Sequence, residues 1–184
     1  MKPLRPIVAT LVVLAALAVV VLLSRRHAVP APPLEPTAAA AAPTPVPAAL
    51  VLFFPGDDAM LHREAREVPE LPAAIPARIK LVMEELVAGS RQGFAPAVPW
   101  GATVQAVFVD RDGNAWVDLT PPPADAVSGT DGEIDLAYAA VNSIAANCPG
   151  VRRVQLLFGG QQVATFGHLD LSRPLAPDPE LVAP

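Results

Sequence analysis

The feature that most limits how this chain can fold is an unbroken apolar run near its start. Residues 7–23 contain one polar residue, Thr10. As a helix the run would be about 26 Å long, slightly short of a bilayer core, and extension to Leu4 and Ser24 closes that gap. It is longer than the apolar part of a typical signal peptide, and no clean cleavage motif follows it. We therefore predict an uncleaved signal anchor or transmembrane helix in residues 1–27, with a cleaved signal peptide as the alternative.

The orientation of this anchor follows from the charges that flank it. Lys2 and Arg5 precede the apolar run, and Arg25 and Arg26 follow it, so the positive-inside rule is nearly balanced. A short N-terminal segment before a single anchor favours an external position for the large domain. We expect a single-pass protein of the cell membrane with its C-terminal domain outside the cytoplasm. A reversed anchor with a cytoplasmic domain is the alternative.

Residues 28–49 are mostly proline and alanine, which predicts a linker. Proline blocks both helices and sheet ladders, and the segment holds seven: Pro30, Pro32, Pro33, Pro36, Pro43, Pro45 and Pro47. A polyproline-like chain rises about 3.1 Å per residue, so the linker would hold the domain well away from a membrane. Plain disorder is the alternative, and both predict a spacer.

Charge and cysteine content exclude two classes of site. The first 49 residues contain four basic residues and one acidic residue, so the remaining chain carries a net charge of −8. An acidic domain without a basic stripe is a poor binder of nucleic acid, and we predict none as a partner. The single cysteine, Cys148, excludes an intrachain disulfide and a cysteine-rich zinc site. We predict that Cys148 is a buried structural thiol.

Periodicity places one α+β domain in residues 50–177. It predicts two helices packed on a mainly antiparallel sheet. A strand at 50–54 and a loop at 55–74 precede a helix at 75–86, and a hairpin at 103–119 turns at Asp112-Gly113. A second helix begins at a capping box of Thr130 and Glu133. A strand at 151–158 and a short return strand at 161–165 follow, and residues 178–184 are expected to be a disordered tail.

Several short motifs in this domain resemble the GerMN domain, the sporulation and spore germination domain. They lie at residues 50–55, 116–119, 132–133, 142–143, 149–151, 154–158, 160, 167–172 and 174–175. The resemblance implies an extracytoplasmic, envelope-associated module without known catalytic residues. It also implies a fold similar to the ring-building motif, a helix–strand–strand–helix–strand unit used for assembly, here with an added N-terminal strand. The implied partners are envelope proteins or further copies of the chain.

Two loops carry residue types that bind metals. Asp57, Asp58 and His62 lie in one, and His168 and Asp170 lie in the other. Their spacing matches no metal loop, so we predict no metal and no cofactor. For His168 and Asp170 we favour a local hydrogen-bonded pair that fixes the C-terminal loop.

The remaining candidates are contact residues. Trp100 lies between Pro99 and Gly101 and is a candidate anchor for a partner, although packing within the domain is the favoured interpretation. Arg152 and Arg153 are the one pair of adjacent basic residues in the domain. With these residues we predict a non-catalytic envelope scaffold rather than an enzyme.

Two alternatives to a scaffold remain open. A ligand-binding or sensor domain would have a pocket lined by His62, Asp57 or His168. An envelope hydrolase is less expected, since the chain contains no G-x-S-x-G motif.

Overall fold

The computed structural model describes residues 48–123 and 130–184, except for the side chains of Thr130 and Asp131. The predicted anchor and nearly all of the predicted linker lie outside the described residues, as does the Thr130 side chain of the predicted capping box. Within the described ranges, no helix is long and apolar enough to cross a membrane.

The described chain is built from seven strands, two α-helices and a short 3₁₀-helix. In chain order they are β1 (Ala48–Pro55), β2 (Leu61–Val68), α1 (Ile75–Val87), β3 (Val104–Val109), β4 (Asn114–Leu119), α2 (Thr130–Asn147), β5 (Arg153–Phe158), β6 (Thr165–Phe166), β7 (Leu169–Asp170) and the 3₁₀-helix Pro179–Leu181. The two predicted helices and the predicted hairpin are confirmed, and with them the α+β class.

The first sheet pairs β1 with β2, antiparallel, from Ala48↔Val68 to Pro55↔Leu61. The predicted loop at residues 55–74 is wrong in part, because β2 lies within it. The strand does alternate between buried and exposed positions, but two of its four buried side chains are charged, Glu64 and Arg66. Since charged residues occupy two of the buried positions, the sequence of β2 shows no alternation of apolar and polar residues. Inside the domain the two charges compensate each other.

The second sheet has the order β3-β4-β5 and is mixed rather than mainly antiparallel. β3 and β4 form the predicted hairpin, with a register shift between Val104 and Ala106. β4 and β5 are parallel, from Asn114↔Arg153 to Leu119↔Phe158. The expected single sheet is therefore wrong, while the mainly antiparallel pairing holds for every described strand pair except β4 with β5. Helix α2 lies between β4 and β5 in the chain, and a crossover of this length returns the next strand in the parallel direction.

The core is formed by side chains from both helices and the first two sheets. Ile79, Val82, Met83 and Leu86 of α1 are fully buried, at the spacing predicted from the sequence. On β4 every second residue points into the core: Ala115, Val117 and Leu119. Cys148 lies at the end of α2 with no exposed surface, and burial raises the pKa of its thiol to about 11, which confirms the prediction of an inert, buried cysteine.

The C-terminal region differs from both expectations for it. The predicted return strand at 161–165 is reduced to one bridge between Phe158 and Gln161. The predicted disordered tail is also wrong, because residues 178–184 are held to the domain. Asp178 exchanges backbone hydrogen bonds of 3.0 Å with the Asn142 side chain, and the Ala183 amide donates to the Leu61 carbonyl at 3.0 Å.

Candidate functional site

Trp100, predicted as a possible partner anchor, is half-buried in the structure. Its indole Nε1 donates a hydrogen bond of 3.2 Å to the Thr120 carbonyl, and its ring centroid lies 6.4 Å from that of Phe158. These contacts fix the loop before β3 onto the end of β4. The structure thus gives Trp100 a packing role within the domain.

Arg152 and Arg153 lie at the start of β5 with both side chains exposed. The backbone amide of Arg152 donates to the Gly113 carbonyl at 2.7 Å, which ties the β3–β4 turn to the segment after α2. Neither guanidinium pairs with a carboxylate among the described residues. Both charges remain available at the surface.

His168 and Asp170 do not form the predicted pair. The His168 amide donates to Glu133 Oε2 at 2.6 Å, and its exposed imidazole Nδ1 lies 3.6 Å from the same oxygen. Asp170 instead accepts from the Ser172 amide at 2.8 Å, and hydrogen bonds from the side chain and backbone of Ser172 lower the pKa of its carboxyl. Each residue fixes the C-terminal loop, but through its own partner.

A cleft of about 390 Å³ opens at the tip of the β1–β2 hairpin. Asp58 Oδ1 lies 2.9 Å from His62 Nε2, and the imidazole stacks on Phe94 with a centroid distance of 4.9 Å. The hydrogen bond to His62 lowers the pKa of the Asp58 carboxyl. Asp57 and Gln92 also line the cleft. No group of three or more acidic, histidine or cysteine side chains in the described ranges could hold a metal ion.

A buried charged cluster adjoins this cleft through Gln92, whose backbone amide donates to Glu64, and it was not predicted from the sequence. Arg66 is 2% exposed and forms ion pairs with Glu64 and Glu85, the latter at 3.1 Å, while it also donates to the Gly89 carbonyl at 2.8 Å. Glu64 in turn accepts from Ser90 Oγ at 2.6 Å. The cluster attaches the loop after α1 to β2. The sequence does carry a signal for this cluster: Glu64 and Arg66 have opposite charges and occupy alternate positions between the apolar residues Leu61 and Val68.

Glu64 keeps its charge in this setting. Burial raises the pKa of its carboxyl, but hydrogen bonds from Ser90, Arg66 and the Arg91 backbone outweigh that effect and lower the pKa overall. All of these bonds hold backbone or neighbouring side chains in place. The cluster is therefore built for structure, and it presents no free acid or base to the cleft.

The face of the β3-β4-β5 sheet that points away from the core is covered along β5 and open along β3. On β5, Gln155 is 1% exposed and donates a hydrogen bond of 2.8 Å to the Leu171 carbonyl, so the C-terminal segment covers that strand. On β3, Phe108 is 63% exposed and is the large apolar side chain most open to solvent in the described part of the chain. Its ring lies 5.7 Å from that of Trp116 on β4. An aromatic pair is thus left open beside the sheet edge.

Comparison with known families identifies the domain. Residues 51–164 match the family described as Germane, sporulation and spore germination. A search of curated proteins finds no match.

Three solved structures resemble the fold. The tandem GerMN domains of the sporulation protein GerM from Bacillus subtilis share 14% identity at a TM-score of 0.53, over 71% of this chain and 46% of that one. The chain thus spans about half of the tandem structure. The first GerMN domain of the same protein gives 18% identity and a TM-score of 0.50, over 71% and 96%. A proposed lipoprotein from Clostridium perfringens gives 19% identity and a TM-score of 0.48, over 71% and 87%.

The family match covers well over half of the chain, and the fold resembles both GerMN structures. The resemblance seen in the sequence motifs is thereby confirmed, and the chain belongs to the sporulation and spore germination family of GerMN-related domains.

Proposed function

We propose that this protein is a non-catalytic, membrane-anchored interaction module of the bacterial cell envelope, of the sporulation and germination type or in general envelope assembly. Family membership supports the class of module. The apolar run at residues 7–23 and the proline-rich spacer after it support anchoring and an extracytoplasmic domain. Its partners would be other envelope proteins or further copies of the chain.

The observation that carries this proposal is the way the domain uses its buried polar side chains. They are Glu64, Arg66, Glu133, Asn142, Ser143 and Gln155, and each hydrogen-bonds to backbone in another part of the domain. A triad-type catalytic site would add a hydroxyl or thiol nucleophile to the Asp58–His62 pair, and none of the residues that line the cleft carries one. The features left exposed, an aromatic pair and a sheet edge, are those of a protein-binding surface.

Protease treatment of spheroplasts that express the full chain tests the location. We expect the domain to be digested from outside while a short fragment with the apolar run stays in the membrane. Lysed spheroplasts provide the control for protease activity. Protection of the domain until lysis would mean that the anchor is reversed and would overturn the extracytoplasmic assignment.

A ligand-binding or sensor role is the second candidate, and the cleft at the hairpin tip supports it. Asp57 and His62, two of the residues expected to line such a pocket, do line one, together with Phe94. Its volume lies at the low end of the range for small-molecule sites. Soluble cell-wall fragments should then raise the melting temperature of the full chain but not that of Asp57→Asn. An equal shift in both proteins, or none in either, would count against this role.

A further inference from the structure

The first sheet has one edge that groups of the same chain close and one edge that they close only at its start. Along β1, Asn147 Oδ1 accepts from the Val51 amide at 2.9 Å, and Ser143 Oγ accepts from the Phe53 amide at 3.0 Å. Along β2, the C-terminal tail closes only the first residue, through a parallel bridge between Leu61 and Val182, and no described residue forms a backbone hydrogen bond to the outer side of the strand beyond it. The edge of β1 thus offers no row of free backbone groups, whereas the open part of β2 carries the exposed charges of Arg63 and Glu67, which disfavour pairing with another strand.

In the second sheet one edge is closed and the other is open. Val154 of β5 and Leu175 exchange both backbone hydrogen bonds, each 2.8 Å long. At the opposite edge, β3 pairs with β4, and no described residue forms a hydrogen bond to its outer side. The Asp110 amide donates to the Asn114 carbonyl. Since antiparallel pairs alternate, Val107 and Val109 direct their amides and carbonyls away from β4.

Burial agrees with an open edge at β3. The side chains of Val107 and Val109 point to the core face, yet both residues remain half-buried, whereas Val117 on β4 has no exposed surface. Phe108, on the other face, is 63% exposed. An open edge beside an exposed aromatic side chain is a favourable site for pairing with another strand.

We propose that β3 pairs antiparallel with β3 of a second copy, about a two-fold axis at Phe108. Opposed residues on paired strands point to the same face of the sheet. A two-fold axis perpendicular to the sheet must therefore pass through a residue rather than between two residues. The register shift between Val104 and Ala106 confines regular pairing to Ala106 and the residues after it. An axis at Phe108 uses both outward residues, since Val107 of each copy opposes Val109 of the other and each pair exchanges both backbone hydrogen bonds.

The same register suits the side chains. It sets Phe108 opposite Phe108 of the second copy, with Trp116 of each copy on the flank, and such cross-strand aromatic pairs stabilise sheets. Asp110 opposes Ala106, so no like charges meet between Ala106 and Asp110. An isologous contact closes on itself and yields a dimer rather than a fibre.

This inference rests on the proposed function, because it names one partner of the interaction module. A single pair of short strands buries less than the roughly 1,200 Å² of standard interfaces, so the contact is weak in dilute solution. Tethering two copies to one membrane raises their effective concentration and favours the pair. The contact should therefore be tested on the full chain in membranes.

Oxidative crosslinking of Phe108→Cys, in membranes from cells that express the full chain, tests the register. At a pair without hydrogen bonds, the Cα atoms of the two opposed residues lie about 4.5 Å apart, which is within the Cα–Cα range of a disulfide. The matched control is Ala106→Cys, for which the same axis separates the two thiols by roughly 13 Å. We expect the dimer to form at least about tenfold faster from Phe108→Cys. Cys148 is buried, so the wild-type chain reports the background.

Equal crosslinking of the two variants, or none from Phe108→Cys, would overturn the proposed pairing. Retained protection of Cys148 from alkylation shows that each variant is folded. Protease treatment of the same samples separates the two proposals. An external domain that does not crosslink removes the dimer and leaves the envelope module standing, whereas a protected domain removes the envelope module whatever the crosslinking shows.

Discussion

The side-chain amide of Asn147 makes both backbone hydrogen bonds that a neighbouring strand would make with Val51. Its Oδ1 accepts from the Val51 amide at 2.9 Å, and its Nδ2 donates to the Val51 carbonyl at 2.6 Å. One turn earlier in the same helix, Ser143 Oγ accepts from the Phe53 amide. Helix α2 thus closes the edge of β1 with side chains, whereas no described residue hydrogen-bonds to the outer side of β3.

Asn147→Ala should destabilise the domain. The change leaves the amide and carbonyl of Val51 without partners in a partly buried position, which costs about 1–3 kcal/mol. Urea unfolding of the full chain in detergent, followed by tryptophan fluorescence, measures the effect as a lower midpoint at unchanged slope. Gln162→Ala is the control, because it removes an exposed hydrogen bond of 2.9 Å to Ser172. We expect less than about 0.5 kcal/mol for it, and equal losses would contradict the edge-closing role.

Arg66→Met should be among the most destabilising single changes in β2. It leaves the buried carboxylate of Glu64 without its ion pair, and breaking a buried pair on one side costs about 3–5 kcal/mol. Adding Glu64→Gln should restore part of the loss, because the unpaired charge is then removed. The same denaturation assay applies. For comparison, Lys80→Met breaks an exposed pair with Glu84 and should cost less than about 1 kcal/mol. A double variant no more stable than Arg66→Met alone would show that the charges are not coupled.

Acid should destabilise the wild-type domain through Glu64. Its pKa in the folded state is lowered from the ordinary value of 4.5, so the unfolded chain takes up the proton first. The contribution is present above pH 4.5 and is lost as pH falls from that value through the folded-state pKa. We expect the urea midpoint of Glu64→Gln to fall less steeply over this window. Glu84→Gln, an exposed change of equal charge, should keep the wild-type slope, and identical slopes for both variants would contradict the prediction.

Gly167→Ala should be more harmful than Gly93→Ala. Both glycines have positive φ, +57° and +91°, so an added side chain strains either backbone. At Gly167 a Cβ would also collide with the Glu133 carboxylate, whereas at Gly93 it meets open space. The difference in unfolding free energy between the variants isolates the collision, and we expect at least about 1 kcal/mol. Equal losses would mean that Glu133 moves aside freely.

Cys148 should resist alkylation in the folded protein. Burial raises the pKa of its thiol from 9.0 to about 11, so the thiolate fraction at pH 8 falls about 100-fold, and lack of access slows the reaction further. Maleimide labelling followed by mass spectrometry should show no modification until guanidinium is added. Labelling of the folded chain at the rate of the denatured one would contradict the buried position.

The elements that the sequence predicted correctly have local causes. Helix α1 follows from apolar residues at helical spacing with Pro76 in its first turn, and the β3–β4 hairpin from the Asp112-Gly113 turn. Position next to a helix end was enough to predict that Cys148 is buried. The ordered motifs between residues 50 and 175 were sufficient to recognise the family, because they are read along the chain without reference to contacts.

The candidate site was predictable only in part. Asp57 and His62 were found from their residue types, and the structure places both in one cleft. The His168–Asp170 pair was wrong, since Glu133 and Ser172, the partners that the structure supplies, compete for the same groups. The open edge of β3 was out of reach, because an edge is defined by which strands do not pair with it.

By itself, then, the sequence determined the local structures: the helices, the hairpin, the buried thiol and the family. The tertiary structure decided which strands pair and which charges are buried. β2 reads as a loop because Glu64 and Arg66 are tolerated inside only as partners of each other and of Glu85. Likewise the tail is fixed by Asn142 and Leu61, far away in the chain. The physical reason is that a buried polar group is stable only beside a partner, and that partner is chosen by the fold.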